Sequence, residues 1–570
     1  DMPKKDMGVD IENNFQPTYA ISADKKKVVA DLKKSVKTAT KIFLATDEDR
    51  EGEAIAWHLQ QALSLAEDTP RIVFHEITKG AITDAINNPR TIDTDLVNAQ
   101  QARRIIDRLV GFEISPVLWR KISGARSAGR VQSPVVRIVV EREREISAHN
   151  PTSSHKVKAN LENSSNQSLE VKLSVDFKSK EEALSFAESV LLAELKVNSV
   201  ETKPSKRSPK APFITSTLQQ EASQKLGFSV KQTMSIAQNL YREGAITYMR
   251  TDSLNLSELA ISAAQEVIVS KFGSEFHQTR RYKTNSSGAQ EAHEAIRPTD
   301  LTKPSILGLD DQSTKLYSLI YKRTLASQMS DAQLQKTKIN INISNRSEHF
   351  IADGEVLSFA GFLEVYDYMA AEDKLLPEVS KGDLLTLVDL ASKESFSRAK
   401  PRYTEASLVK EIEQMGIGRP STFATMITTV QDRNYVVKET REGVQRDYHL
   451  IEIEDGVISE SIQAETTGAE KNKLFPTNVA YLLVDFLVKN FSNIIGYEFT
   501  ANLESDFDLI AEESKPWAGV IRDFYEPFHA QIELAKDISR DETHGKRDLG
   551  EDPVSGKPVS VRFGRYGAFA

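Results

Sequence analysis

The chain has no cysteine among its 570 residues. This absence excludes disulfide bonds, cysteine-ligated zinc and thiol catalysis, and it leaves the redox compartment undetermined. Long apolar stretches are also missing: we find no signal peptide, and no stretch of about 18 or more apolar residues that would cross a membrane. The sequence therefore predicts a cytoplasmic protein without a membrane partner.

An excess of positive charge is missing as well. The net charge is −9, which argues weakly against nucleic acid, although the local distribution of charge matters more than the sum. The chain is too long for one hydrophobic core, so several domains are expected. It begins Asp1-Met2-Pro3 and ends in a strand-like pattern at 565–570, and we therefore expect a fragment that lacks residues at both ends.

Hydrophobic patterning divides the chain into blocks. A strand at 41–45, a helix that includes 54–59 and a strand at 71–74 predict an α/β domain. A linker is predicted at 203–212, followed by a mostly helical region at 213–330. Strand-rich stretches flank that region and could pair with each other, which would make the helices an insertion.

An acidic cluster follows the first predicted strand. Asp47, Asp49 and Glu51 lie at alternate positions where ligands bind in open α/β sheets, and carboxylate oxygens suit Mg²⁺. Two alternatives stay open. The acids could cap a helix, or the loop could be an EF-hand, although His58 occupies the position of the bidentate glutamate.

A basic stretch runs from 115 to 137 without an acidic residue. Its small residues around Arg126 and Arg130 would let the backbone approach a phosphate, and arginines bind phosphate through two donors. Arg103 and Arg108 lie upstream on a predicted helix. This pattern favours polyanion binding, and a solvated basic face is the alternative.

Tyr248, Arg250 and Asp252 occupy alternate positions in the stretch EGAITYMRTDS. In an extended strand they would share one face. A tyrosine in a strand usually packs in a core, but a guanidinium beside it could stabilise the phosphate that a tyrosine attacks.

Two further constellations suggest phosphate contacts. His293 and Arg297 are four residues apart, so one helical turn, ended by Pro298, would bring them together. Ser421 and Thr422 follow glycines at a predicted helix start, where they could bind phosphate or simply cap the helix.

Together these motifs resemble the type IA DNA topoisomerases, and their bacterial topoisomerase I branch more than the decatenating topoisomerase III. The motifs that carry the resemblance are DEDREGEAIAWHL (47–59), SAGRVQSPVVRIVVERE (127–143), ITYMRTDS (246–253), QEAHEAIRPTD (290–300), the stretch at 402–436, YEFTANLESDFDLIA (497–511) and RFGRYGAF (562–569).

The resemblance implies a multidomain α/β and α fold that forms a torus. The expected parts are an incomplete Toprim domain at 1–92, a helical, winged-helix-like DNA-binding domain at 93–150 and 404–540, a strand-rich arch at 151–212 and 331–403, a helical lid at 213–330, and the start of C-terminal repeats at 541–570.

The implied activity is relaxation of negatively supercoiled DNA without ATP. Tyr248 would form a 5′-phosphotyrosyl link with a single strand, Arg250 would stabilise the phosphate, and Asp47, Asp49 and Glu51 would hold Mg²⁺. The protein would act as a monomer at the nucleoid, with duplex DNA in the central hole. The positions expected to bind DNA are Arg71, Arg103, Asp107, Arg130, Gln132, Asp252, His293, Arg297, Arg419, Ser421, Thr422 and Arg433.

The sequence departs from the family at its start. The first Toprim strand, with the glutamate that would donate a proton to the leaving 3′ oxygen, should precede residue 1, so we expect the 570-residue chain to be impaired. Acids such as Glu504, Asp506, Asp508, Glu512 and Glu513 are expected to face outward. Three alternatives remain: another Toprim enzyme such as a primase or nuclease, a non-catalytic scaffold that binds single strands, and half of a reverse gyrase.

Overall fold

The computed structural model describes residues 1–3, 5–283, 293–366, 375–492, 495–538, 547–564 and 567–569. Gln290, Glu291 and Ala292 of the 290–300 motif, and the side chains of the 562–569 motif, lie outside this description. No helix in the described ranges is both long and apolar enough to cross a membrane.

Helices and strands occur in blocks along the described chain. The helices are α1 (Lys26–Thr38), α2 (Arg50–Leu63), α3 (Lys79–Asn87), α4 (Thr94–Lys121), α5 (Gln132–Ala148), α6 (Lys180–Val190), α7 (Thr215–Leu226), α8 (Val230–Arg242), α9 (Glu258–Phe272), α10 (Asp311–Ser327), α11 (Glu405–Gln414), α12 (Phe423–Asp432), α13 (Asn478–Asn490), α14 (Tyr497–Ala511) and α15 (Trp517–Lys536). The strands are β1 (Val9–Asp10), β2 (Gln16–Pro17), β3 (Ser153–Glu162), β4 (Ser168–Leu173), β5 (Leu195–Arg207), β6 (Ala332–Ile343), β7 (His349–Phe359), β8 (Leu384–Phe396), β9 (Val436–Arg441), β10 (Val444–Glu454), β11 (Val457–Thr467), β12 (Glu470–Pro476), β13 (Arg547–Glu551), β14 (Pro558–Gly564) and β15 (Gly567–Phe569).

The two strands predicted at 41–45 and 71–74 are present only as isolated β-bridges. Leu44 pairs in parallel with Arg71, and Arg71 pairs antiparallel with Arg90. The parallel pairing agrees with the predicted α/β pattern, but the predicted length is wrong. Pairing stops because the chain turns at Thr46, whose Oγ1 donates to Gly52 O at 2.6 Å, and enters the acidic loop before α2.

Helices from two distant parts of the chain share one core. Buried apolar side chains of α4 and α5 pack with those of α11 to α15, for example Ile105, Leu109, Leu408, Phe507 and Ile521. Burial of this apolar surface favours the association of the two halves. This core holds α4 against α14, the helix that carries two acidic side chains of the site.

A closed sheet forms the second large unit. The order β8-β3-β4-β7-β6-β5 returns to β8, and the hairpin β10–β11 extends from β8. Strand β5 pairs with β6 along its whole length, which confirms that strands on either side of 213–330 pair. The linker predicted at 203–212 is wrong as far as Arg207, because 203–207 continue the β5–β6 ladder.

The region between β5 and β6 is helical, as predicted. Helices α7 to α10 surround their own core, which includes Leu218, Leu240, Leu316 and Tyr248. The domain boundaries themselves stay predictions, since packing within each core does not fix where one domain ends.

Candidate active site

The segment that carries Tyr248 is not the strand that its alternating pattern predicts. Ile246 forms a bridge to Pro298, and residues 248–255 are neither strand nor helix. Pairing stops because the Tyr248 amide instead donates to His75 O at 2.9 Å, which ties this segment to the region of the acidic cluster. The predicted strand is wrong, yet Tyr248 and Arg250 still converge on one side chain.

That side chain is Asp49. Tyr248 Oη donates to Asp49 Oδ2 at 2.6 Å, and Arg250 Nη1 lies 3.4 Å from the same oxygen. Tyr248 is 4% exposed, and its ring meets that of Tyr241 edge-on with centroids 5.2 Å apart. Burial and the Asp49 charge raise the pKa of Tyr248 well above its ordinary value, so the hydroxyl keeps its proton at rest.

The acidic loop combines a helix cap with a site. Asp49 Oδ1 accepts from Gly52 N at 2.7 Å and caps α2, while Oδ2 faces the tyrosine. A Cβ at Gly52 would lie 2.0 Å from Asp47 O, so this turn requires glycine. The EF-hand alternative is wrong, because α2 already begins at Arg50 and includes His58, which leaves no room for a twelve-residue loop.

The three carboxylates predicted to hold Mg²⁺ are near one another in sequence but have separate contacts. Glu51 Oε1 accepts from Ser421 Oγ at 3.2 Å, and within the described residues no three acidic or histidine side chains form a cluster arranged for a metal. Burial and the Asp49 charge raise the pKa of Asp47. A bound cation would relieve that repulsion, so the donor set fits a hard divalent ion by its chemistry.

Arg71 does not present its side chain to DNA. Its guanidinium is fully buried, 3.2 Å from Glu53 Oε2, and donates to Thr46 O and Asp47 O, each at 2.9 Å. A direct contact of Arg71 with DNA would require the side chain to leave this buried position, and that contact stays a prediction. Its observed role is to hold the acidic loop by two carbonyl groups.

Arg130 is buried too, and the acid that holds it was expected on the surface. Arg130 Nε donates to Asp107 Oδ1 and Nη1 to Glu504 Oε1, both at 3.0 Å, and the Arg130 and Glu504 side chains are 0% exposed. Arg103 Nη2 lies 3.3 Å from the same Glu504 oxygen. Burial alone would raise the pKa of Glu504, but the charges of Arg103, Arg130 and Arg419 lower it to about 2.

Asp508 is the second acid that the sequence analysis misplaced. It is 8% exposed and pairs with Arg50 and with Arg419, whose Nη2 lies 2.6 Å from Asp508 Oδ2. Glu504 and Asp508 are four residues apart on α14, so they share the face that packs against α4. Thr500, Glu504 and Asp508 follow one another at intervals of four residues, and all three are buried. This spacing places them on one face of the helix and was the sequence signal for a shared buried face.

Several of the predicted site residues line a small polar cavity. Its volume is about 60 Å³. Its walls join the acidic loop, the tyrosine segment and the region around α12, and they are formed by Asp49, Arg50, Glu51, Arg103, Arg250, Asp252, His293, Arg419, Pro420, Ser421 and Asp508. Asp252, Arg103, His293, Arg419 and Ser421 are thus together, as a shared binding site would require.

A larger groove of about 530 Å³ lies along α4 and α12. Six of the predicted DNA-binding positions line it: Arg103, Asp107, Arg130, Gln132, Thr422 and Arg433. Arg433 donates to Gln132 Oε1, a contact that links the start of α5 to the end of α12. Arg130 forms the groove wall without an exposed side chain, so Arg103 and Arg433 are the better placed cations for a phosphate.

His293 and Arg297 are not on a helical turn. Residues 293–298 are extended, with bridges at Ile296 and Pro298, so the predicted helix is wrong. Arg297 is 8% exposed and lies 2.5 Å from Glu294 Oε2 and 3.1 Å from Glu76 Oε2. Its guanidinium therefore joins two acids and does not line the small cavity, and its expected DNA contact stays a prediction.

The sequence analysis did not identify His75 and Glu76, which lie beside the site. The His75 ring lies 6.0 Å from that of His293 and pairs with Glu48, which raises the pKa of His75 through the side-chain hydrogen bond. Like Asp47, His75 and Glu76 follow a short extended segment at its carboxyl end. That position was the signal.

The hydroxyls before α12 do not cap it. Neither Ser421 nor Thr422 accepts from a backbone amide of the helix. Ser421 Oγ donates to Glu51, and Thr422 Oγ1 accepts from Arg419 N at 2.9 Å. The ordinary-cap alternative is therefore wrong, and both hydroxyls stay beside the two cavities.

Comparison with known proteins identifies what this arrangement is similar to. The sequence profile of a DNA topoisomerase family matches residues 91–448, and that of the Toprim domain matches residues 7–77. DNA topoisomerase 1 of Campylobacter jejuni is 40% identical over 595 aligned residues, which cover 100% of this chain and 79% of that protein. DNA topoisomerase 1 of Streptomyces coelicolor is 39% identical, covering 99% of this chain and 62% of that protein.

A solved structure is similar across the whole chain. Full-length topoisomerase I from Thermotoga maritima superposes with a TM-score of 0.82 at 36% sequence identity, covering 100% of this chain and 90% of that one. The similarity therefore extends to the fold as well as the sequence.

Proposed function

Because this chain belongs to the type IA DNA topoisomerases, with their Toprim domain and fold, we propose that it relaxes negatively supercoiled DNA without ATP. The observation that carries the proposal is the convergence of Tyr248 and Arg250 on Asp49. A phenol, a guanidinium and a carboxylate there supply a nucleophile, a cation for the phosphate and a proton acceptor.

In the proposed cleavage step, Tyr248 Oη attacks a phosphodiester phosphorus of a single strand. The bond from phosphorus to the 3′ oxygen breaks, a 5′-phosphotyrosyl bond forms, and the strand leaves as a 3′ oxyanion that takes a proton from solvent water to become a 3′ hydroxyl. The tyrosine proton passes to Asp49 Oδ2, its resting hydrogen-bond partner. The reverse attack rejoins the strand, and supercoiling supplies the driving force because bond energy is kept in the link.

Arg250 has a separate role in this proposal. Its guanidinium is one third exposed and its pKa is raised, so it stays charged beside the tyrosine and can donate to the phosphate oxygens. Asp252, His293, Arg419 and Ser421 would line the path of the same strand. Arg103, Gln132, Thr422 and Arg433 would bind its continuation in the groove. Asp107 would hold Arg130 from the groove surface, while the buried Arg71, Arg130 and Arg297 would position these groups from inside.

Asp47, Asp49 and Glu51 are the residues that would hold Mg²⁺. When bound, the ion would neutralise phosphate charge during rejoining. We further propose the domain division given by the resemblance, with a lid that lifts at its contacts with the Toprim region and duplex DNA held within the torus. The protein would act as a monomer and would be located at the nucleoid.

Replacing Arg250 with alanine should slow strand cleavage by about 10²–10³-fold, because one charged donor to the phosphate is lost. Single-turnover cleavage of a labelled single strand measures this, and Arg250→Lys should recover part of the rate. Arg242→Ala is the control for loss of charge alone, since this exposed arginine lies at the end of α8 and its charge acts on Asp47 of the acidic loop. Equal losses at both positions would contradict the assigned role.

Relaxation of a negatively supercoiled plasmid tests the proposed function. The longest natural form of the protein, with Mg²⁺ and no ATP, should give a ladder of topoisomers that EDTA prevents. Nicked or linear products would indicate a nuclease instead, and binding without a change in linking number would indicate a scaffold.

A further inference from the structure

Helix α1 carries a basic face whose role is not explained by the cleavage site. Residues 24–41 contain seven lysines and two aspartates, a local charge of +5 in a chain whose net charge is −9. No residue of α1 is buried. Because a strongly basic segment in an acidic protein marks a place where polyanions are favoured, its geometry indicates what it could bind.

The lysines of α1 form an ordered stripe. Lys26, Lys33 and Lys37 are separated by seven and four residues, so they lie along one face of the helix. All three are exposed, and none makes an ion pair with any residue in the described part of the chain. The two nearby acids are used elsewhere: Asp24 lies 3.7 Å from Lys25, and Asp31 3.3 Å from Lys34.

A solvated face would not need this arrangement. Like charges four residues apart, as at Lys33 and Lys37, destabilise a helix. Helix α15 shows the usual solution, since its exposed Lys536 pairs with Glu533 one turn away. The stripe on α1 keeps its repulsion uncompensated, and an external polyanion would compensate it.

The position of α1 relates the stripe to the cleavage site. Helix α1 packs against α2, whose first turn carries Asp49 and Glu51. Half-buried Val29 and Val36 lie beside the stripe, three or four residues from Lys26 or Lys33, and mark the packed side of α1, while the three lysines remain exposed to solvent. DNA opened at Tyr248 in a closed plasmid must continue as duplex on both sides of the separated segment.

We propose that the Lys26–Lys33–Lys37 face binds the phosphate backbone of the duplex that flanks the cleaved single-stranded segment. The inference rests on the proposed function, which makes flanked single strands the substrate. The stripe is about 16 Å long at 1.5 Å per residue, and duplex DNA carries one charge per about 1.7 Å. It therefore matches roughly five base pairs of backbone and carries no sequence preference.

The test measures the salt dependence of DNA binding. The protein carries Tyr248→Phe to prevent covalent trapping, with or without Lys26→Gln, Lys33→Gln and Lys37→Gln. The probes are a single-stranded segment flanked by duplex and the same single strand alone. On the flanked probe, the triple variant should lower the slope of log affinity against log salt by about 2.7, from about 0.9 for each lost phosphate contact. The slope on the single strand should not change.

Lys156→Gln, Lys158→Gln and Lys172→Gln provide a matched control. These arch lysines are 61%, 71% and 59% exposed, and their removal makes the same change in net charge. The proposal is contradicted if both triple variants change the slope equally, if the α1 variant leaves the slope unchanged, or if it weakens both probes alike. Failure of the proposed function gives a different result. The protein that retains Tyr248 would then form no covalent adduct with DNA, whatever salt slopes are measured.

Discussion

Replacing Tyr248 with phenylalanine should reduce plasmid relaxation and covalent adduct formation by more than about 10⁴-fold, the scale of loss when an enzyme loses its nucleophile. The change removes one oxygen and keeps the ring that packs against Tyr241. The protein should therefore stay folded, with a thermal transition close to that of the parent and with binding to single-stranded DNA retained.

The chain offers a close control for this substitution. Tyr241 is 2% exposed, lies at the end of α8, and stacks edge-on against the nucleophile. Tyr241→Phe removes a hydroxyl from the same ring pair but leaves the Tyr248–Asp49 hydrogen bond in place. It should retain relaxation within a few-fold of the parent. Loss in both variants would show that packing, and not the Tyr248 hydroxyl, limits the assay.

Replacing Glu504 with alanine should destabilise the helical unit by about 3–5 kcal/mol, since removal of one partner leaves buried charges uncompensated. Arg130 would lose an acceptor inside the fold, and Arg103 would lose its ion pair. Because the protein has several domains, one global unfolding free energy is not defined. Hydrogen exchange of amides in α4 and α14 measures the effect locally.

Two variants control for the Glu504 result. Glu504→Gln keeps a hydrogen-bond acceptor and should lose less stability than alanine. Glu512→Ala removes an exposed acid at the end of α14 and should change protection by less than about 0.5 kcal/mol. If the protection lost at Glu504 equals that at Glu512, the buried arginine network does not stabilise the helical unit.

The pKa of Glu504 predicts when this contribution disappears. The folded-state pKa is about 2, below the value of 4.5 for a free glutamate. A carboxylate whose pKa is lower in the folded state stabilises the fold fully above the unfolded-state pKa and loses that effect as pH falls. The Glu504-dependent protection should therefore weaken between about pH 4.5 and pH 2.

The residue types of the site were predictable, but their local structure was not. Tyr248, Arg250 and Asp49 were named from spacing and motif, and they do meet. The sequence reasoning placed Tyr248 with Arg250 on a strand and His293 with Arg297 on a helical turn, and neither the strand nor the turn is present. Both segments take their backbone partners from distant parts of the chain, such as His75 and Thr247, which local periodicity does not report.

The sequence also did not show which charged residues are buried. Arg71, Arg130, Arg297, Glu504 and Asp508 look solvent-exposed in a list of charged residues, yet all five are at most 8% exposed. Except for Glu294, three residues before Arg297, their charged partners lie between 18 and 458 residues away in the chain. Only the tertiary packing of the chain, such as that of α14 on α4, brings them together. The fold class followed from motifs, whereas the distinction between exposed and buried members of the predicted site required the structure.

The most direct test of the central claim is to map the covalent adduct. A labelled single strand is incubated with the longest natural form of the protein, denatured and digested, and the labelled peptide is sequenced by mass spectrometry. We expect one adduct, in which the 5′ phosphate is joined to the oxygen of Tyr248. An adduct at another residue, a 3′ linkage, or no adduct from an active protein would contradict it.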